Sequence, residues 1–140
     1  MLITAPIREN DKFGSGYFGA SREGGKRQHK GVDYAVYPGS LVYAHVGGTV
    51  TKLGFPYGDD LGFRYVQITD TKTNYNLRYF YVEPLVSLHQ VVSAQHVIGR
   101  SQSLNERYPG ITEHIHFEIT DGRGRVVDPE TLKNNLTRTF

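Results

Sequence analysis

The amino-acid sequence predicts an all-β fold of twisted antiparallel sheets, and three observations carry that prediction. Sixteen glycines and ten tyrosines are spread among short apolar runs, a composition that suits strands better than helices. Turn pairs such as Pro38-Gly39, Gly47-Gly48, Pro109-Gly110 and Asp121-Gly122 fall between those runs. The stretch His114 to Thr120 alternates apolar Ile115, Phe117 and Ile119 with polar neighbours, the period of a half-buried strand.

In chain order the strand candidates begin with Gly16 to Gly19 and the β-branched run Val32 to Val36. Leu41 to Ala44 and Gly48 to Leu53 follow the first two turn pairs. Phe63 to Thr69 and Leu77 to Val82 are the next apolar and aromatic runs, before His114 to Thr120 and the short Arg125 to Val127. Asp128-Pro129-Glu130 places an N-cap aspartate before a first-turn proline, which predicts a short closing helix over Thr131 to Leu136. No repeat, linker or low-complexity segment divides the 140 residues, so one domain over 1–140 is expected, with long loops at its mouth. A domain of this size buries about 68–70% of its unfolded surface and needs no disulfide staple.

Composition also excludes chemistry. The absence of cysteine rules out thiolate metal sites and cysteine nucleophiles. Acids and bases are interspersed at a net charge of +2, so no nucleic-acid partner is expected. No run reaches membrane-spanning length, and Leu2-Ile3-Thr4-Ala5-Pro6 is too short for a secretory apolar region. No signal peptide and no membrane insertion are therefore expected. The basic cluster Arg22, Lys26, Arg27 and Lys30 reads as a solvated loop, or as an attractor of an acidic peptide or glycan. Gly58-Asp59-Asp60-Leu61-Gly62 lacks the alternating oxygens of a calcium loop and reads as turn chemistry. No Gly-x-Ser-x-Gly elbow is present. His45, His89 and His96 read as surface or structural groups, with His45 able to line a cleft.

The remaining histidines form a pattern. Gln28-His29-Lys30-Gly31-Val32-Asp33 places an imidazole on a loop and a carboxylate on the strand after it. In His114-Ile115-His116-Phe117-Glu118 both imidazoles share one strand face while the apolar set enters the core. Each half alone is ordinary on a solvated strand. Together they supply two imidazoles and one carboxylate suited to a borderline-soft cation, with a further imidazole beside them. Three protein ligands with one open position make a catalytic rather than a structural zinc site. Spacing alone does not bring the halves together.

These residues resemble the lysostaphin/LytM-type zinc endopeptidases, which cleave peptide cross-links of bacterial cell walls. The resemblance runs from Ser15-Gly16-Tyr17-Phe18-Gly19-Ala20-Ser21-Arg22 through His29-Lys30-Gly31-Val32-Asp33 and Pro38-Gly39-Ser40-Leu41-Val42-Tyr43-Ala44. It continues through Gly48-Thr49-Val50, Ile98-Gly99, His114 to Glu118 and Val127-Asp128-Pro129. It implies a duplicated-hybrid-motif-like β sandwich around a zinc cleft, with zinc held by His29, Asp33 and His116 and with His114 catalytic beside the metal.

Where that family carries a further catalytic histidine in Tyr-x-His-Leu, this chain reads Tyr79-Phe80-Tyr81-Val82. Tyr81 therefore takes the second catalytic position. A phenol of pKa near 10 is a poor base but a good hydrogen-bond donor. Loss of one general base removes typically about 10²–10⁴-fold of rate. The family's Gly-x-x-Val-x-x-Gly-Gln approach to Ile98 is also altered, with His89, Gln95 and His96 in place of its two glycines and glutamine. Phe80-Tyr81-Val82-Glu83-Pro84 and Tyr108-Pro109-Gly110 locally resemble leukocyte cell-derived chemotaxin, a vertebrate binding protein that keeps the zinc ligands, which implies a shared tyrosine subtype and not a shared biology.

The expected function is thus a zinc-dependent peptidoglycan endopeptidase acting on peptide stems or cross-bridges. With no signal sequence, it is expected in a phage particle or released to the bacterial cell wall or periplasm, with peptidoglycan peptide and other virion proteins as partners. The alternative is a weakly active or inactive zinc module that binds cell wall or partner proteins. A metal-free carrier sharing only the β architecture is the third reading.

Overall fold

The computed structural model describes residues 6–9, 11, 13–22 and 27–129, with backbone alone at 21–22 and 27–28. The helix expected over Thr131 to Leu136, and Lys26 of the basic cluster, lie outside the described residues. Among the described residues twelve strands are formed: β1 (Ser21–Arg22), β2 (Arg27–Gln28), β3 (Val32–Ala35), β4 (Leu41–Tyr43), β5 (Gly48–Gly54), β6 (Tyr65–Asp70), β7 (Asn76–Phe80), β8 (Val82–Pro84), β9 (Val91–Val92), β10 (Val97–Ser101), β11 (His114–Thr120) and β12 (Val126–Val127). A seven-stranded sheet runs β12-β11-β7-β6-β5-β9, with β3 also paired to β11, and a three-stranded sheet runs β4-β10-β8. Every pairing is antiparallel.

The two larger sheets share one core. Val66, Ile68, Leu77, Tyr79, Ile115, Phe117 and Ile119 of the large sheet pack with Val42, Val82 and Ile98 of the small one. Along β11 the even-numbered side chains from His116 onward are only partly buried, whereas Ile115, Phe117 and Ile119 enter the core. The alternation therefore divides one strand between packing and chemistry.

Three expected strands differ. Gly16 to Gly19 is a turn, because Gly19 takes a left-handed φ of 77° and the chain folds back onto His29. The run Leu77 to Val82 is broken at Tyr81, whose φ of 66° is left-handed. Tyr81 and Val82 both donate their backbone N–H to the Arg64 carbonyl, and the chain there leaves the large sheet for the small one. Arg125 lies outside β12. Strands β9 and β10 carry too little alternation to stand out beforehand. Around them, His89 and Gln95 each take a φ of 72°. Both stand where the resemblance implies glycine, and a left-handed conformation is costly for either residue.

Candidate metal centre

The register of β3 against β11 sets Asp33 directly across from His116. Opposite residues of an antiparallel pair share a face, so both side chains rise from the same side of the sheet. His29 enters from the loop after β2, where its N–H donates to the Ala20 carbonyl at 2.8 Å and its own carbonyl accepts from Gly19 at 2.8 Å. Gly31 lets this loop lie flat against β11. A Cβ there would run into the Phe117 carbonyl oxygen and sit 3.0 Å from the His116 ring.

Three donor atoms then meet at one point. His29 Nε2 lies 2.9 Å from His116 Nδ1 and 3.1 Å from Asp33 Oδ1, and His116 Nδ1 lies 2.7 Å from Asp33 Oδ1. The outer hydrogen bonds fix which atoms point inward. His29 Nδ1–H donates to the Tyr17 carbonyl at 3.0 Å, which leaves Nε2 as a lone pair. His116 Nε2–H donates to Glu118 Oε1 at 2.9 Å, which turns Nδ1 to the shared point. Lone pairs of two imidazoles and a carboxylate cannot converge without positive charge between them.

The electrostatics at this point carry the same demand. Burial opposes ionisation of Asp33, yet His116, which donates to it whenever a proton sits on Nδ1, and the close His29 imidazole outweigh it and hold the carboxyl well below its usual range. Burial likewise opposes charge on His116, but Asp33 and Glu118 push it up to about 9. The point attracts a cation. A tetrahedral centre with bonds of 2.0–2.1 Å spaces its donors about 3.3 Å apart, close to the separations here, so these residues can hold a metal ion.

His114 stands beside the trio. Its Nδ1–H donates to the Thr112 carbonyl at 2.6 Å, and Nε2 lies 3.5 Å from Asp33 Oδ2. Burial pushes its pKa down against the pull of Asp33 and the Thr112 carbonyl, so the imidazole is neutral and its Nε2 can accept a proton. A cleft of about 470 Å³ opens over these groups, walled by Phe13, Tyr57, Tyr81, Tyr108 and Ile111.

Residues 27–129 match the sequence profile of peptidase family M23, and the mouse (Mus musculus) leukocyte cell-derived chemotaxin-2 is 30% identical over 115 residues, 82% of this chain and 74% of that protein. The chain belongs to peptidase family M23. Chicken (Gallus gallus) myeloid protein 1 is 34% identical over 120 residues; the match takes in 84% of this chain but spans only 36% of the chicken protein's length. The catalytic domain of lysostaphin, an antimicrobial peptidase of Staphylococcus simulans, superposes with a TM-score of 0.66 over 87% of this chain and 90% of that one. At 23% identity that likeness establishes the shared fold. The lysostaphin-type resemblance seen in the sequence is thus a likeness within M23.

In this M23 chain the structure brings His29, Asp33, His116 and His114 to one cleft floor, with Tyr81 in the wall. The Tyr81 ring meets the His114 ring edge-on at 5.6 Å. His45 does not line the cleft. It is buried, hydrogen-bonded through Nδ1 to the Tyr79 hydroxyl at 2.8 Å and stacked on Phe117 at 4.5 Å. Asp59 belongs to a surface loop and pairs with Arg107 at 3.3 Å.

Sequence reasoning missed Arg8, which is 2% exposed. Its guanidinium donates to Asp33 Oδ2 at 3.0 Å and to the Gly14 carbonyl at 2.8 Å, and it pairs with Asp11 at 2.9 Å. It clamps one carboxylate oxygen and leaves the other to the centre. Nothing in the spacing of Arg8 announces this, because its segment reaches Asp33 only by lying beside β3. Glu118 was visible in the His-x-His-x-Glu alternation, but its task as partner of His116 shows only in three dimensions.

Proposed function

We propose that this chain is a zinc-dependent endopeptidase that hydrolyses peptide bonds in the stems or cross-bridges of bacterial peptidoglycan. One observation carries the reading: inward-facing lone pairs of His29, Asp33 and His116 meet at the floor of an open cleft, with the neutral imidazole of His114 beside them. A nitrogen, nitrogen and oxygen donor set suits zinc. Zinc held there supplies Lewis-acid polarisation of a carbonyl and acidifies bound water. The protein supplies the rest. His114 Nε2 takes up the proton of the attacking water, with Nδ1–H anchored on the Thr112 carbonyl. The Tyr81 hydroxyl donates to the carbonyl oxygen as negative charge grows on it. Arg8 and Glu118 keep Asp33 and His116 in place.

Metal analysis of the purified protein, paired with hydrolysis of isolated cell walls before and after chelation, tests this. Zinc bound in equimolar amount and turnover abolished by chelator are expected. The reading extends to a phage lytic or virion-associated role beside other virion proteins, and mass spectrometry of purified particles tests that part.

A second reading is favoured by Tyr81 itself. Burial pushes its phenol up to about 12, so it cannot take a proton at neutral pH. Metal bound without turnover, even at high protein concentration, would make the chain a zinc module that binds cell wall or a partner protein. Cleavage gained in Tyr81→His would show that one missing base separates the two.

A further inference from the structure

Next to the metal-binding floor, the cleft wall carries a chain of phenols. Tyr57 Oη lies 2.7 Å from Tyr108 Oη and 2.9 Å from Tyr81 Oη. At the outer end Arg107 Nε donates to Tyr108 Oη at 3.3 Å. The same guanidinium stacks 3.7 Å above the Tyr57 ring and pairs with Asp59. Beneath, the rings rest on an apolar cluster of Phe63, Leu104 and Ile111.

The direction of this chain follows from its ends. A guanidinium has donors only, whereas each phenol has one proton to give and lone pairs to accept. Tyr108, accepting from a cation, becomes the stronger donor, and polarisation passes along the series. The far end offers an acceptor instead, with the His114 imidazole edge-on to the Tyr81 ring at 5.6 Å and the open cleft in front of its hydroxyl. A donor-only cation at one end and acceptors at the other turn all three O–H bonds the same way. The order is Arg107 to Tyr108 to Tyr57 to Tyr81, and the Tyr81 proton is left for the cleft. The left-handed φ of 66° at Tyr81 is a conformation that persists only where the surroundings over-determine it.

We propose that Tyr57 and Tyr108 are positioning residues, with Arg107 setting their direction, that aim the Tyr81 O–H at the carbonyl oxygen of a bound peptide. Its peptide acceptor rests on the peptidase reading above; the order of the hydroxyls belongs to the protein alone. Tyr81 remains a donor throughout the neutral range, since burial pushes its phenol up to about 12.

Two measurements test the proposal. With the zinc-loaded full chain and isolated peptidoglycan, Tyr57→Phe should lower kcat about 5–10-fold with KM within about twofold, and Tyr108→Phe should lower it less. The double variant Tyr57→Phe/Tyr81→Phe should be no slower than Tyr81→Phe alone, because Tyr57 acts only through Tyr81. Additive losses, or a change in KM alone, would overturn the positioning role. Independently of turnover, neutron diffraction from deuterium-exchanged crystals should place the Tyr57 deuteron toward Tyr81 and the Tyr108 deuteron toward Tyr57. A Tyr57 deuteron directed at Tyr108 would overturn the proposal even in an active enzyme. A wild-type protein with the expected deuterons and no hydrolysis would uphold the chain while defeating the peptidase reading.

Discussion

Glu118 offers the sharpest test of the candidate metal centre, because its carboxylate reaches the three donor atoms only through His116. The Nε2–H of His116 donates to Glu118 Oε1 at 2.9 Å, which both selects the tautomer and raises the basicity of Nδ1. Glu118→Gln keeps an acceptor oxygen in nearly the same place and removes the charge. Glu118→Ala removes both. Partners of this kind are worth typically about 10–100-fold in metal affinity, so the glutamine variant should sit near the lower figure and the alanine variant near the upper. That range corresponds to about 1.4–2.7 kcal/mol of binding free energy. At fixed free zinc the same amount is lost from folding stability, a fall in Tm of about 4–10 °C for a domain of this size. Competition with a chromophoric chelator gives the affinity, and thermal unfolding with and without zinc gives the stability. Equal affinities for wild type and Glu118→Ala would refute the reasoning, since His116 would then need no partner to present Nδ1. A loss confined to the zinc-free protein would refute it equally.

Other predictions concern the rest of the floor and the wall. Gly31→Ala should cost about 1–3 kcal/mol through overpacking and weaken zinc binding, because its Cβ meets the Phe117 carbonyl and the His116 ring together; urea unfolding and the chelator assay check both parts. Removing zinc from a protein held at 100 times its Kd should lower stability by about 2.7 kcal/mol, read as a Tm that depends on zinc concentration. Tyr81 should add to the alkaline limb of stability. Burial raises its folded pKa to about 12 from an ordinary value of 10, so its contribution is complete below pH 10 and is lost as pH rises through 12, on the order of 3 kcal/mol. Urea titrations across that window should show a shallower decline in Tyr81→Phe, and an unchanged slope would show that Tyr81 titrates normally.

The sequence made the fold legible where periodicity was strong and left it obscure where single residues switch the chain. His114 to Thr120 alternates cleanly and forms β11 over those residues. Tyr81 reads as the continuation of a strand, yet it is the residue at which the chain changes sheets. A left-handed tyrosine leaves no local signature, since its conformation is imposed by the Arg64 carbonyl and the walls around it. The site divides in the same way. His29, Asp33, His114 and His116 are recognisable because the polar side chains that gather at the cleft floor lie in two short motifs. Arg8 and the Tyr57–Tyr108 pair are not, because each meets its partners across pairings between distant segments, with 25 residues separating Arg8 from Asp33 and 51 separating Tyr57 from Tyr108.

These two parts of the site are built on different supports, and that separation bears on whether the cleft cuts or only binds. The floor depends on the β3–β11 register, on Gly31 and on the clamps from Arg8 and Glu118, none of which touches Tyr81 in the contacts described above. A change of residue 81 can therefore remove a base while leaving the metal-binding donors where they are. What remains for proton transfer is His114, neutral because burial outweighs the pull of Asp33. One imidazole can take the proton of water and deliver it to the departing amine, provided that the carbonyl oxygen is stabilised by another group. The Tyr81 hydroxyl, turned toward the cleft by its neighbours, is suited to that second task. On this reasoning the tyrosine changes how the work is divided between two residues, and activity should depend more steeply on His114 than in a site with two imidazoles.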